Sequence, residues 1–340
     1  MPDTTVLLAL VLAASLCAYA LLGGADYGGG LWDLLAWGPA APRQRALIAH
    51  AIGPVWEANH VWLIVAVVVL FAGFPRAYAV LSTYLHVPLT IALLGIVLRG
   101  SAFVFRAYGP DDARHQRFWG RVFSVSSTVT PFFLGVVVGA ISDGRLPARA
   151  DGSFTEIFLR PWVTPFSLSV GALAVALFGY LAAVYLTVEA REPGEQRAFR
   201  VRALASWAIA GVLAVVVLAL SDGELRRGLL ASRWSIPVFT AAAVSAVAAL
   251  VALAAGRFAL ARLAAAAQVA AIVLGWALAQ FPYAIRPHVT LAAAAAPEPV
   301  RLMLLQILAA GGVLLLPCLF YLFTIFGPRG RKAPSDLLNA

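Results

Sequence analysis

The sequence predicts an all-α, polytopic membrane protein with nine transmembrane helices, and three observations carry that expectation. Of 340 residues, 62% are hydrophobic and only 12% are charged, where soluble domains carry about 25% charge. Mean hydropathy is +0.88. Apolar runs long enough to cross about 30 Å of hydrocarbon recur from end to end, separated by short polar breaks.

The runs cover about 5–24, 48–72, 77–105, 118–142, 162–188, 201–220, 235–256, 258–281 and 301–326. Only Gly256-Arg257 separates the seventh from the eighth, but their combined length requires two crossings. No connection exceeds about 25 residues, so residues 1–340 read as one integral membrane domain with no soluble module.

The net charge of +9 comes almost wholly from arginine, since Lys332 is the only lysine. These cations gather between the apolar runs rather than on one stripe, which points to topology and away from nucleic acid. Connections on one side hold 15 of them and those on the other hold 9, with Arg99 inside a helix. The positive-inside bias therefore places the N-terminus outside and the C-terminus in the cytoplasm.

The first run could be mistaken for a secretory signal. It lacks a charged n-region, and Leu16 is a poor residue before Cys17 as a lipidation point, so it is expected to remain as a membrane helix. Cys17 and Cys318 lie inside apolar runs without a CxxC neighbour and read as packing residues. At the end of the first run stands Gly23-Gly24-Ala25-Asp26-Tyr27-Gly28-Gly29-Gly30. No preceding strand and no following Lys-Ser/Thr pair support a phosphate loop, so these glycines are expected to admit a neighbouring helix.

The second run carries the polar cluster Gly53-Pro54-Val55-Trp56-Glu57-Ala58-Asn59-His60-Val61-Trp62. At about 100° per residue, Trp56, Glu57, Asn59 and His60 share an arc of about 160°, while Trp62 points away. An ionisable group on such a face belongs in a protein interior or a wet cavity, not in lipid. Burial disfavours the charged carboxylate, which suits Glu57 to accepting and releasing a proton; its alternative role is a structural hydrogen bond. The third run places Arg99 and Arg106 near its cytoplasmic end and His86 nearer its middle. Arg99 is expected either to pair with Asp26 near the rim or to snorkel to the interface.

The later runs are Ala/Val/Leu-rich scaffold. The connection Phe281-Pro282-Tyr283-Ala284-Ile285-Arg286-Pro287-His288 is stiffened by proline. Hydrolase and zinc chemistry have no support, because neither GxSxG nor HExxH occurs. Two intramembrane histidines, His60 and His86, could in principle hold a haem, although a hydrogen-bonded packing role needs no further ligand.

Four blocks give the chain a resemblance to subunit II of the cytochrome bd quinol oxidases, and more loosely to their cyanide-insensitive branch. They are Gly24-Ala25-Asp26-Tyr27-Gly28, the segment Ile52 to Leu63, Phe71-Ala72-Gly73-Phe74-Pro75-Arg76-Ala77-Tyr78, and Leu98-Arg99-Gly100-Ser101-Ala102-Phe103-Val104-Phe105-Arg106. They occupy the first third of the chain. The resemblance implies two four-helix bundles, formed by runs one to four and five to eight, plus a peripheral ninth helix. It also implies a heterodimer with a haem-bearing subunit I in the bacterial cytoplasmic membrane, sometimes with a small single-helix subunit. Haems b and d and the quinol-oxidising loop would belong to the partner, with no metal or redox centre in this chain. Glu57, Asp26, Asn59 and His60 would then belong to a proton path, with Arg99, Trp56 and Arg106 as structural or ion-pairing residues. Two departures stand out: many members have Asp where this chain has Glu57, and an acid found upstream of the Asp26 position in some members is replaced here by the stretch Leu22-Gly23-Gly24.

Two other functions compete. A proton-coupled secondary transporter using Glu57 would show Gly/Pro-broken helices in corresponding halves, whereas here the breaks concentrate in the first three runs. A membrane cytochrome would need His60 and His86 to face one haem.

Overall fold

A computed structural model describes residues 3–52, 59–110, 112–147 and 152–326. The chain is helical almost throughout. Helix α1 runs Thr4–Leu34, α2 Ala41–Ile52, α3 Val61–Val68, α4 Pro75–Tyr84, α5 His86–Tyr108 and α6 Ala113–Ser142. Then follow α7 Phe154–Phe158, α8 Pro165–Glu189, α9 Pro193–Leu220, α10 Gly223–Ala231, α11 Ser235–Ala254 and α12 Phe258–Gln280. A small antiparallel hairpin, β1 Tyr283–Ile285 and β2 Val289–Thr290, leads through α13 Leu291–Ala294 to α14 Glu298–Phe326. Among the described residues, eight helices are long and apolar enough to cross a membrane, or nine if α3 and α4 count as one span.

Helix ends follow local chemistry. Asp3 caps α1 by accepting from the Thr5 amide, and Asp112 caps α6 by accepting from the Arg114 and His115 amides. Thr164 caps α8, with Pro165 in its first position, where the missing N–H costs nothing.

Two of the expected runs are corrected. Helix α1 does not stop near residue 24 but continues to Leu34, because its glycines pack against other helices instead of ending the helix. Their backbone entropy is offset by that contact. The run expected at 77–105 is two helices: α4 turns 111° from α3 and its π-turn Val69–Gly73, and α5 begins only at His86. Gly73, the non-helical Phe74 and Pro75 break the earlier path, and Pro88 fits within the first turn of α5. His86 therefore opens a helix and is not near the middle of one. The connections also hold the short helices α7 and α10 and the hairpin, none of which the apolar runs revealed.

The core falls into three buried clusters. Helix α8 packs extensively on α9, α6 and α1, and further on α12, while α5 packs on α6 and α11 on α12. One buried cluster joins Trp32, Ile48, Phe123, Tyr180, Phe199 and Leu253, and so draws on both expected helix groups. Helix α14 is peripheral: it touches α1 and the π-turn, and Leu304 is its buried hydrophobic residue.

Candidate functional site

The site is built on α1. Tyr19, Asp26 and Asp33 are seven residues apart, a spacing that keeps them within an arc of about 40° and rises about 10.5 Å per step. This face turns into the protein, and all three side chains are buried. Glycines allow the rest of α1 to come close to its neighbours. A Cβ at Gly28 would overlap the Phe178 carbonyl of α8, and one at Gly30 would overlap the Ser127 side chain of α6.

At the middle step Asn59, just before α3, donates from Nδ2 to Asp26 Oδ2 at 2.5 Å, with Leu22 O 3.5 Å from the same nitrogen. The Tyr19 and Tyr27 hydroxyls are 2.9 Å apart. The His60 ring lies against both tyrosines, at centroid distances of 5.9 and 6.2 Å. Tyr27 in turn stacks on Phe178 at 6.4 Å. Arg99 of α5 is only 1% exposed, and its guanidinium carbon sits 4.8 Å from the Tyr27 centroid and 5.4 Å from that of Phe123. Ring faces are a favourable bed for a desolvated guanidinium. Arg99 thus does not snorkel. It acts on Asp26 electrostatically, but among the described contacts Asn59 is what Asp26 bonds.

At the lower step lies a second cluster. Asp33 is 3.6 Å from Arg106 Nη1 and 3.8 Å from Arg45 Nε, and it also accepts from the Ser124 hydroxyl of α6. Arg45 further donates from Nη2 to Ala36 O at 2.9 Å. Next to Asp33, the Trp32 indole donates to Gly179 O at 2.8 Å and Arg202 lies over its ring at 5.4 Å. Among the described residues, the ion pairs near the end of α1 are those of Asp33 with Arg45 and Arg106.

Of the residues singled out in the sequence, Asp26, Asn59, His60 and Arg99 come together, and Arg106 joins the Asp33 cluster one step away. Glu57 and Trp56 lie outside the described residues. Tyr19, Tyr27, Asp33 and Ser124 were not singled out; the seven-residue spacing along α1 was the signal that could have found the first and third.

The described histidines do not fit a haem held between His60 and His86. One face of His60 is taken up by the α1 tyrosines. His86 donates from Nδ1 to Thr83 O at 2.9 Å and packs on Phe158 of α7 at 4.9 Å. No group of three or more His, Cys, Asp or Glu side chains converges as a metal site among the described residues.

Fold and site together define a polytopic α-helical membrane protein that buries a carboxylate, an amide and a guanidinium where α1, α3 and α5 meet. The chain belongs to the cytochrome bd terminal oxidase subunit II family, whose model matches residues 4–326. It is 30% identical over 210 residues to cytochrome bd ubiquinol oxidase subunit 2 of Bacillus subtilis (strain 168), an alignment covering 62% of this chain and 60% of that protein. It is 28% identical over 220 residues to cytochrome bd-I ubiquinol oxidase subunit 2 of Escherichia coli (strain K12), covering 62% and 54%. The chain thus spans little more than half the length of these relatives. Its fold is similar to a chain in the structure of bd oxidase from Geobacillus thermodenitrificans, with TM-score 0.78, 23% identity, and coverage of 96% and 99%.

Proposed function

We propose that this chain is the subunit II of a quinol:oxygen oxidoreductase in the bacterial cytoplasmic membrane, paired with a haem-bearing subunit I that oxidises quinol and reduces oxygen to water. The N-terminus faces outward and the C-terminus the cytoplasm. The observation that carries the reading is Asp26 buried beside Asn59 in a membrane helix of a chain from this family. A carboxylate is costly there and is kept where it serves a path for ions or protons.

Haem, when bound by the partner, supplies the electron transfer to oxygen. This chain's residues have another task. Reduction of oxygen consumes protons, and Asp26 holds one within the membrane, while Asn59 fixes the orientation of its carboxyl group. Arg99 supplies a positive charge that balances the ionised form. His60, Tyr19 and Tyr27 extend the polar line along α1. Glu57, two residues before Asn59 in the chain, is the next acid. The outer faces of α3, its π-turn and α5 expose Ile64, Phe71, Leu94 and Val97. A partner docked on that face would meet the acids by the shortest route.

The test is quinol-driven oxygen consumption by the assembled complex with Glu57→Gln or Asp26→Asn, at equal haem content. Slow turnover with normal haem supports the path; wild-type turnover in both variants refutes it.

A further inference from the structure

The path just proposed needs a mouth on the cytoplasmic side, which with the N-terminus outward is the Leu34 end of α1. On that side of Asp26 the structure offers a line of polar groups. Asp33 stands about 10.5 Å further along the same face. Between the two carboxylates, on the side of α1 that carries Gly30, α6 presents Ser127 and, one turn earlier in its own sequence, Ser124. Gly30 is what makes room: a side chain there would occupy the space taken by the Ser127 hydroxyl.

Two atoms on this line are conspicuous. Ser127 is completely buried and its Oγ has no hydrogen-bond partner among the described residues. Asp33 is 2% exposed, and its Oδ1 likewise has no hydrogen-bond partner, the two arginines standing at 3.6 and 3.8 Å. Buried polar atoms left unsatisfied are uncommon and cost about 1–3 kcal/mol each, which water relieves where it can enter. The other Asp33 oxygen already accepts from Ser124. Arg45, whose side chain is 43% exposed, covers Asp33 from the aqueous side.

We propose that Asp33, Ser124 and Ser127 form the cytoplasmic mouth and first segment of the proton path to Asp26, with Arg45 as its outer cover. This rests on the reading of Asp26 as a proton carrier. A proton from cytoplasmic water reaches the Asp33 carboxylate. Each hydroxyl then accepts one proton as it releases its own, with single waters bridging the remaining gaps, and the Asp26 carboxylate receives the last. One proton moves inward, no bond between heavy atoms forms or breaks, and no electron is transferred. The role of Gly30 follows from the same geometry, because it keeps the hydroxyl in line between the two acids.

The experiment compares Asp33→Asn, Ser127→Ala and Asp26→Asn in the assembled complex, reading quinol-driven oxygen consumption in H2O and D2O at equal haem content. Ser127→Ala removes a hydroxyl that bonds nothing among the described residues, so it leaves their helix contacts intact. The expected result is that Ser127→Ala and Asp33→Asn each slow turnover about tenfold or more and enlarge the solvent isotope effect, and that combining them slows it no further. If Asp33→Asn fails to assemble, Ser127→Ala alone decides. Wild-type turnover and isotope effect in Ser127→Ala, beside a slow Asp26→Asn, overturn this mouth and leave the Asp26 carrier standing. Wild-type behaviour of Asp26→Asn removes the carrier and the mouth together.

Discussion

Asn59, just before α3, donates a hydrogen bond of 2.5 Å to Asp26 of α1, and both side chains are buried. Taking away the donor leaves the carboxylate unsatisfied in a low-dielectric setting. Replacing Asn59 with Leu is therefore expected to destabilise the protein by about 1–3 kcal/mol. Replacing Asp26 with Asn as well should recover part of that loss, since the charge that needed a donor is gone. Thermal unfolding of the two single variants and the double variant checks this; additive effects would show that the bond carries no coupling.

Gly28 marks a close approach of α1 to α8. An added methyl must displace the Phe178 backbone, not a flexible side-chain end. Gly28→Ala is expected to cost roughly 1–3 kcal/mol or more through overpacking. Gly311→Ala on α14, where nothing lies within 4 Å of a built Cβ, should be neutral. Equal melting temperatures for the two variants would contradict the packing argument.

The exposed apolar faces divide between lipid and the proposed partner. Val97 on α5 is 55% exposed and Val215 on α9 is 67% exposed. Lipid adapts to a larger apolar side chain, whereas a packed interface does not. Val97→Trp should lower recovery of the assembled complex in affinity purification, and Val215→Trp should leave it unchanged. The reverse order would move the interface to the α9 face.

Asp143 follows the end of α6 and accepts from the Thr164 hydroxyl at 2.8 Å. Burial pushes its carboxyl above the usual range, the Thr164 bond and Arg145 pull it down, and Asp222 pushes it up, with a net rise. The folded state thus binds this proton more tightly than the unfolded chain does. The contribution to stability is largest below the ordinary carboxylate range and falls as pH rises through the raised value. Asp143→Asn removes that dependence, so its melting temperature relative to wild type should climb from acidic to neutral pH. A difference that stays constant or shrinks would show that Asp143 is not held this way.

The sequence by itself determined the class of fold and the region of the site. Composition and run length dictate membrane helices, because a backbone in hydrocarbon must satisfy its own hydrogen bonds. A carboxylate, an amide and an arginine placed inside such runs mark where burial must be compensated. What only the tertiary structure decided is which groups compensate which. Arg99 lies on Tyr27, Asp26 bonds Asn59, and Asp33 takes Arg45 and Arg106, whereas sequence position left Arg99 either to pair with Asp26 or to snorkel. The break at Leu85 between α4 and α5 puts His86 at a helix start, inside what reads in the sequence as one run. Gly30 and Ser127 are far apart in sequence and carry no mark of each other. They meet because α1 and α6 pack closely, and side-chain contact between distant helices depends on that packing geometry, which local periodicity does not specify.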